Sequence, residues 1–320
     1  MKKHLAIFRC GANSLHRSAL GDPAQRSFDY ALSWFGDGEP EANGALFVHH
    51  QKGAKWPGLY ETMLAHWATV SQYEYVWLPD DDLLCKPEDV DRMFRMCETL
   101  GLELAQPALT VDSYFAHIIT LQHSAFMLRF TDFVEVMAPV FSRSMLARIM
   151  PTLDDVVSGY GLDQLWPRMS RMGKVAVIDE TPVKHTRPLG GPNYKFSKDA
   201  GIPPHVEGWL CNASHFVDQP WDLQINFGGI LKTGETCCLS SRIIDIEALF
   251  GSLLTSMASL PLSAVNVARY LSNHYNYVRG NDIESITARR DLVPVALNQV
   301  LKPRGIEFAN RGAAEMSGAA

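Results

Sequence analysis

The apolar run Tyr75-Val76-Trp77-Leu78 passes straight into Pro79 and three consecutive aspartates, Asp80, Asp81 and Asp82. A run this apolar reads as a strand buried in a sheet. Behind the acids, Pro87 holds a first-turn position, and Glu88 and Asp89 suit the positive end of a helix dipole. Val90, Met93, Phe94, Cys97 and Leu100 then form one stripe that stops at Gly101, and a new apolar run follows at Leu102–Ala105. Strand, acidic turn, helix and strand make βαβ grammar, which predicts a mostly parallel sheet flanked by helices. Ligands of such sheets bind beyond the carboxyl ends of the strands, where the three acids fall.

Other segments repeat this pattern. Leu5–Cys10 reads as a strand ending at Gly11, Phe28–Phe35 as a second and Ala45–His50 as a third. Tyr60, Met63, Leu64 and Trp67 recur at helical spacing behind Pro57. Leu162, Leu165, Trp166 and Met169 mark a helix stopped by Gly173, and Lys174–Asp179 is a last strand before the turn Asp179–Pro182. From Thr181 to about Pro220 the chain is rich in Pro, Gly and Asn, as in a long loop. A helical stripe, Ile243 to Leu254, follows. The expected division is an α/β domain over residues 1–235 and a helical C-terminal extension over 236–320.

Composition removes several classes of function. The 320 residues carry 29 Lys plus Arg against 35 Asp plus Glu, a net charge of -6, so the overall field does not hold nucleic acid. No apolar run reaches the length of a membrane span, which leaves at most peripheral membrane contact. The apolar stretch before Arg9 is too short for a secretion signal. The six cysteines form no CxxC pair, and a reducing, cytoplasmic location is expected.

Asp80 and Asp82, two apart on a turn, suit one hard cation such as Mg²⁺ or Mn²⁺, which keeps open positions for phosphate oxygens. The alternative is an acidic turn that caps the helix behind Pro87. The stretch from Tyr75 to Asp82 resembles the strand and DxD motif of GT-A glycosyltransferases. More closely, the chain resembles a plant and bacterial family of unknown function, DUF707. The stretches that carry this are Asn13-Ser14-Leu15-His16, the acidic turn, Glu103–Leu109, Phe133–Arg143 and Gly161-Leu162-Asp163, in order.

The resemblance implies a GT-A-like, Rossmann-related fold. It also implies a glycosyltransferase that moves a sugar from a nucleotide-diphosphate sugar, with UDP favoured, to a carbohydrate or other hydroxyl acceptor in bacterial surface polysaccharide synthesis. Asp80, Asp82 and His185 would hold Mn²⁺ or Mg²⁺. Arg9, Gly11 and Asn13 on the first loop, with Asp80 and Asp81, would bind the nucleotide; the plainer reading there is a turn with a surface arginine. Asp163 would act as base or orient the acceptor, unless it is only a helix-start acid. Glu135, an acid in an apolar stretch, is a second catalytic candidate or the partner of Arg129 or Arg143. Lys184 and Arg187 would neutralise a leaving diphosphate, and Ser142 would cap the following helix. Trp56, Trp209 and Trp221 read as sugar-stacking residues or loop anchors. Two rivals stand beside the transferase: a metal-dependent phosphohydrolase, and a non-catalytic sugar-nucleotide-binding protein.

Overall fold

The computed structural model describes residues 1–190, 201–213 and 224–238, except positions 155, 172, 202 and 235. In chain order the strands are β1 His4–Cys10, β2 Phe28–Trp34, β3 Val48–His50, β4 Tyr75–Trp77, β5 Leu83–Leu84, β6 Leu104–Leu109, β7 Phe126–Thr131, β8 Val140–Ser142, β9 Val175–His185, β10 Asn226–Leu231 and β11 Thr236–Cys238. The α-helices are α1 Lys55–Ala65, α2 Trp67–Val70, α3 Pro87–Leu100, α4 Arg143–Ile149, α5 Leu162–Arg168 and α6 Pro204–Ala213.

The strands order as β11-β10-β7-β9-β6-β8-β4-β1-β2-β3, with β5 paired to β9. β3, β2, β1 and β4 run parallel, as do β6 and β9. The short β8 lies antiparallel between β4 and β6, so β4, β6 and β9 all point the same way. β7, β10 and β11 extend the far side as an antiparallel run. The fold is therefore an α/β sheet flanked by helices, parallel in its first part and mixed beyond it. The expected helical extension lies outside the described residues, apart from Thr236–Cys238, which form β11.

Alternation along β1 shows how the core divides. Ala6, Phe8 and Cys10 face α3, whereas Leu5 and Ile7 face α1, Trp56 and Leu59. α3 follows its sequence signals: Pro87 stands in the first turn, Val90, Met93, Phe94 and Cys97 are buried, and Gly101 closes the helix at φ 58°. Ser142 caps α4, its hydroxyl accepting the N–H of Met145.

β9 differs most from expectation. The sequence predicts a turn over Asp179–Pro182, but the strand runs unbroken to His185. A register shift opposite Pro107–Leu109 accommodates Pro182, which has no N–H to donate, and β5 pairs with the extended end. Asp179 faces the interior and is held there by Arg129. The Arg129 Nε and Nη2 groups donate to the two carboxylate oxygens at 2.9 Å each. The extension carries His185 to the carboxyl end of β4.

Candidate active site

The acidic turn leaves β4 at the carboxyl edge of the parallel strands, and neighbouring segments hold it by main-chain bonds. Leu78 N–H donates to Pro139 O at 2.9 Å and Asp80 N–H to Met137 O at 2.8 Å, which ties the turn to the loop before β8. Thr186 N–H and its hydroxyl both donate to Asp82 O, at 3.1 and 2.8 Å. β5, just after the turn, pairs Leu83 with His185. Two segments far away in sequence thus converge on residues 80–82.

Each aspartate meets a different protein cation. Lys55, the first residue of α1, lies 2.5 Å from Asp80 Oδ1 and donates to the carbonyls of Val136 and Met137 at 2.7 and 3.1 Å. Arg187 Nη1 lies 3.1 Å from Asp81 Oδ1, and its Nη2 donates to Asn13 O at 2.6 Å. His185 Nε2 lies 3.2 Å from Asp82 Oδ2. The other ring nitrogen, Nδ1–H, donates to Tyr114 O at 2.6 Å and fixes the ring. These partners offset part of the repulsion among the three acids.

Their electrostatics diverge accordingly. Burial raises Asp80, with Lys55 opposing and Asp82 adding to the rise. Burial pushes Asp81 up to about 6 despite Arg187. Burial also acts to raise Asp82, but the hydrogen bond and charge of His185, with Arg187 and Lys55, outweigh it and hold Asp82 below the usual carboxylate range. Burial acts to lower His185, yet the bonds to Asp82 and Tyr114 and the charges of Asp82 and Asp80 raise it overall.

Glu135 precedes β8 and is buried in the same region. Its N–H donates to the Gln106 side chain on β6. Burial, then the charge of Asp163, pushes its carboxyl up to about 8, with Asp80 adding and His185 and Lys55 opposing. Neither expected arginine pairs with it: Arg129 engages Asp179, and Arg143 donates to the carbonyls of Tyr73 and Gln72. Asp163 stands in the first turn of α5, and its charge acts on Glu135. The structure therefore brings Asp80, Asp82, His185, Glu135 and Asp163 into one electrostatic neighbourhood.

Two buried carboxylate oxygens there, Asp82 Oδ1 and Glu135 Oε2, have no hydrogen-bond partner. Unpartnered buried oxygens are costly and seek a proton or a cation. Asp82 Oδ1, with His185 Nε2 once that nitrogen gives up the proton it shares with Asp82, is a hard donor set that fits Mn²⁺ or Mg²⁺. Asp80 would be the weaker ligand, since one oxygen is held by Lys55.

Among the described residues, one group brings three possible ligand atoms within 4.8 Å of one another: His4, Glu74 and Glu98. It lies at the opposite, amino ends of β1 and β4, and Lys3 already pairs with both glutamates.

Several expected contributors take other roles. Arg9 is neither a phosphate ligand nor a surface residue. It lies in the β1 row of Leu5 and Ile7 and is 3% exposed, with its guanidinium spent on the carbonyls of Gln51, Gly53 and Ser33. Gly58 on α1 leaves the space it fills, because a Cβ there would lie 2.2 Å from Arg9 Cζ. Gly11 likewise makes room for Phe35 rather than a ligand, a Cβ there lying 2.5 Å from the ring. Its N–H bonds to the Asp81 carboxylate. Asn13 is exposed and engages Arg187 through its carbonyl.

Arg187 stands at the acidic turn, but Lys184 points to the opposite face of β9 and pairs with Asp112 at 2.5 Å. Trp56 is a buried anchor in α1, edge-on to Trp166 at 4.9 Å. Trp221 and the Trp209 side chain lie outside the described residues. Lys55 escapes sequence reading. Its only signal is a lysine among apolar residues at a helix start, where a cation opposes the dipole and needs an anion nearby.

The family model described as "Protein of unknown function (DUF707)" matches residues 33–130, a stretch that contains the acidic turn and Glu103–Leu109. It bears out the resemblance read from those motifs. Comparison with curated proteins gives no match. Among solved structures, residues 1–349 of S. aureus TarS, in complex with UDP-GlcNAc, share 11% identity over 94% of this chain and 80% of that one, with a TM-score of 0.41. A protein of Desulfovibrio desulfuricans G20, provisionally assigned as a nucleotide-diphospho-sugar transferase, shares 10% identity over 49% of this chain and 69% of that one, at a TM-score of 0.32. A197 from STIV shares 10% over 58% and 86%, at 0.34. Among the described residues, no helix is long and apolar enough to cross a membrane.

Proposed function

We propose that this chain is a metal-dependent glycosyltransferase, moving a sugar from a nucleotide-diphosphate sugar, with a UDP-sugar favoured, to a hydroxyl acceptor. The observation that carries this reading is that two buried, unpartnered carboxylate oxygens, Asp82 Oδ1 and Glu135 Oε2, belong to residues that both interact with His185, whose ring is held by Tyr114. Asp82 and His185, with Asp80 beside them, would hold Mn²⁺ or Mg²⁺. When bound, such an ion offsets the negative charge that develops on a leaving diphosphate.

The chain's own residues supply the rest. Lys55 fixes Asp80 to the loop that carries Glu135, so the acids keep one geometry. Arg187 locks the first loop to the acidic turn and adds positive charge at its rim. Asp163 would accept the acceptor hydroxyl's proton. Glu135, pushed up to about 8, remains protonated at neutral pH and would donate a hydrogen bond rather than compete for the proton. The chemistry suits a cytoplasmic donor pool and, as the family setting suggests, a polysaccharide acceptor at the bacterial surface.

The test is a thermal-shift screen of UDP, GDP and CMP compounds with and without Mn²⁺. Stabilisation by a nucleotide only with metal, lost in Asp82→Asn and His185→Ala, is expected. If no nucleotide stabilises the chain in the presence of metal, the transferase reading fails. Nucleotide binding without turnover, and unaltered by Asp163→Asn, would instead favour a sugar-nucleotide-binding protein.

A further inference from the structure

The loop that delivers Asp163 to the site is held from outside its own segment. Residues 157–161 turn sharply, with Gly159 at φ 81° and Gly161 at φ 91°. Three successive amides there point the same way. Val157 N–H donates to Glu207 Oε1 at 3.0 Å, Ser158 N–H to Oε1 and Oε2 at 2.9 and 3.1 Å, and Gly159 N–H to Oε1 at 3.1 Å. Glu207 lies on α6 and is 6% exposed. A run of amides curled around one anion is a nest, and these charge-assisted bonds are stronger than ordinary amide bonds. The next residue, Gly208, leaves room for the loop itself, since a Cβ there would lie 3.0 Å from Tyr160 O.

The other side of the loop rests on α1. A Cβ on Gly159 would lie 2.3 Å from the Trp56 ring, so this glycine is seated on the indole. Trp56 is adjacent to Lys55, whose ammonium lies 4.9 Å from the indole centroid and holds Asp80. The loop is thus clamped between α6 and the helix that anchors the acidic turn. Asp163 follows four residues after Gly159 at the start of α5.

We infer that Glu207 is a positioning residue for the reaction: its carboxylate gathers the amides of residues 157–159 and so fixes Asp163 relative to Asp80 and Asp82. The inference rests on the proposed role of Asp163. It assigns no contact between Glu207 and substrate.

The experiment uses the full chain with Mn²⁺ and a panel of UDP- and GDP-sugars, following release of the nucleoside diphosphate. It compares Glu207→Ala, Glu207→Gln, Asp163→Asn and the double variant Asp163→Asn/Glu207→Ala, with hydrogen exchange of each. Glu207→Ala is expected to lower kcat by about 10- to 100-fold, the scale set by a misplacement of ~1 Å, with the donor KM within about twofold of wild type. Glu207→Gln, which keeps an acceptor oxygen, should fall between. In the double variant the Glu207 change should cost nothing further, because the group it positions is already gone. Exchange of amides 157–159 should quicken in Glu207→Ala while β1 and β4 stay protected.

Unchanged exchange at 157–159, or a Glu207 effect of the same size in the Asp163→Asn background, overturns the inference. Wild-type turnover undiminished in Asp163→Asn overturns the role of Asp163 instead. Absence of wild-type turnover on every sugar nucleotide overturns the transferase reading beneath both. Should Glu207→Ala fail to fold, the exchange and kinetics of Glu207→Gln decide the matter.

Discussion

Replacing Arg129 by methionine tests what holds β9 in place to deliver His185. Arg129 and Asp179 are both 0% exposed. The guanidinium makes two bonds to the carboxylate, at 2.9 Å each, and donates to the carbonyls of Ile119 and Leu121 at 3.1 and 2.6 Å. Asp179 also accepts the N–H of His123 at 2.7 Å. Methionine fills much of the volume but leaves a buried carboxylate without its cation. Breaking a buried pair on one side costs about 3–5 kcal/mol, a large share of the roughly 5–15 kcal/mol that stabilises a domain. At about 2–4 °C per kcal/mol for a domain of this size, the midpoint should fall by roughly 6–20 °C.

Calorimetry or circular dichroism would follow Arg129→Met beside Arg129→Met/Asp179→Asn. The neutral amide still accepts from His123 without burying a charge, so the double variant should recover about 1–3 kcal/mol over Arg129→Met. Losing its cation raises the folded pKa of Asp179 further, beyond the rise that burial already gives it. A group raised on folding contributes stability below its unfolded pKa and loses it as pH rises, so the defect of Arg129→Met should be smaller at pH 5 than at pH 8. A single-variant cost below about 1 kcal/mol, or a double variant no more stable than the single, would refute the reasoning.

Three other outcomes are expected. Lys55→Met removes the cation from Asp80 and the donor from Val136 and Met137; the apo protein should be less stable, and its stabilisation by Mn²⁺ in a thermal-shift titration larger than that of wild type. Gly159→Ala combines a φ of 81° with a Cβ 2.3 Å from Trp56, and denaturant titration should show a loss of about 2–5 kcal/mol from strain and overpacking together. In Glu103, burial acts to raise the pKa, but the Arg171 N–H, the Ser170 hydroxyl, Arg148 and the Arg171 charge hold it below the usual range. A carboxylate depressed in this way stabilises the fold above its unfolded pKa and loses that contribution as pH falls through its folded value. Glu103→Gln should therefore flatten the acid limb of a stability–pH profile and lower the midpoint near pH 7.

Much of the site was legible before the fold was known, because its signals are local. An apolar strand, a break and an amphipathic helix are written within one stretch from Tyr75 to Gly101, and successive residues of β1 face opposite layers of the core. Arg9 was equally legible in principle: it shares a row with Leu5 and Ile7, so alternation places it under α1 rather than at a ligand. Asp179–Pro182 reads as a turn in the sequence because proline and an acid are turn residues locally, whereas β9 runs through it. Only a partner such as Arg129, and a neighbouring strand with a register shift, let both remain in a strand.

The sequence alone indicated β1, β2, β3, β4, β6, α1 and α3, and the acidic turn at the end of a buried strand, since hydrophobic period and turn chemistry act over a few residues; His185 as a metal ligand came only with the family resemblance. The tertiary structure decided which charges meet. Asp81 and Arg187 stand 106 residues apart, and Val136, whose carbonyl shares Lys55 with Asp80, lies 81 residues from that lysine. Such pairs depend on β8 entering antiparallel between β4 and β6 and on β9 running on to His185. A carboxylate's partner is set by the strands that become its neighbours, and no local period encodes that.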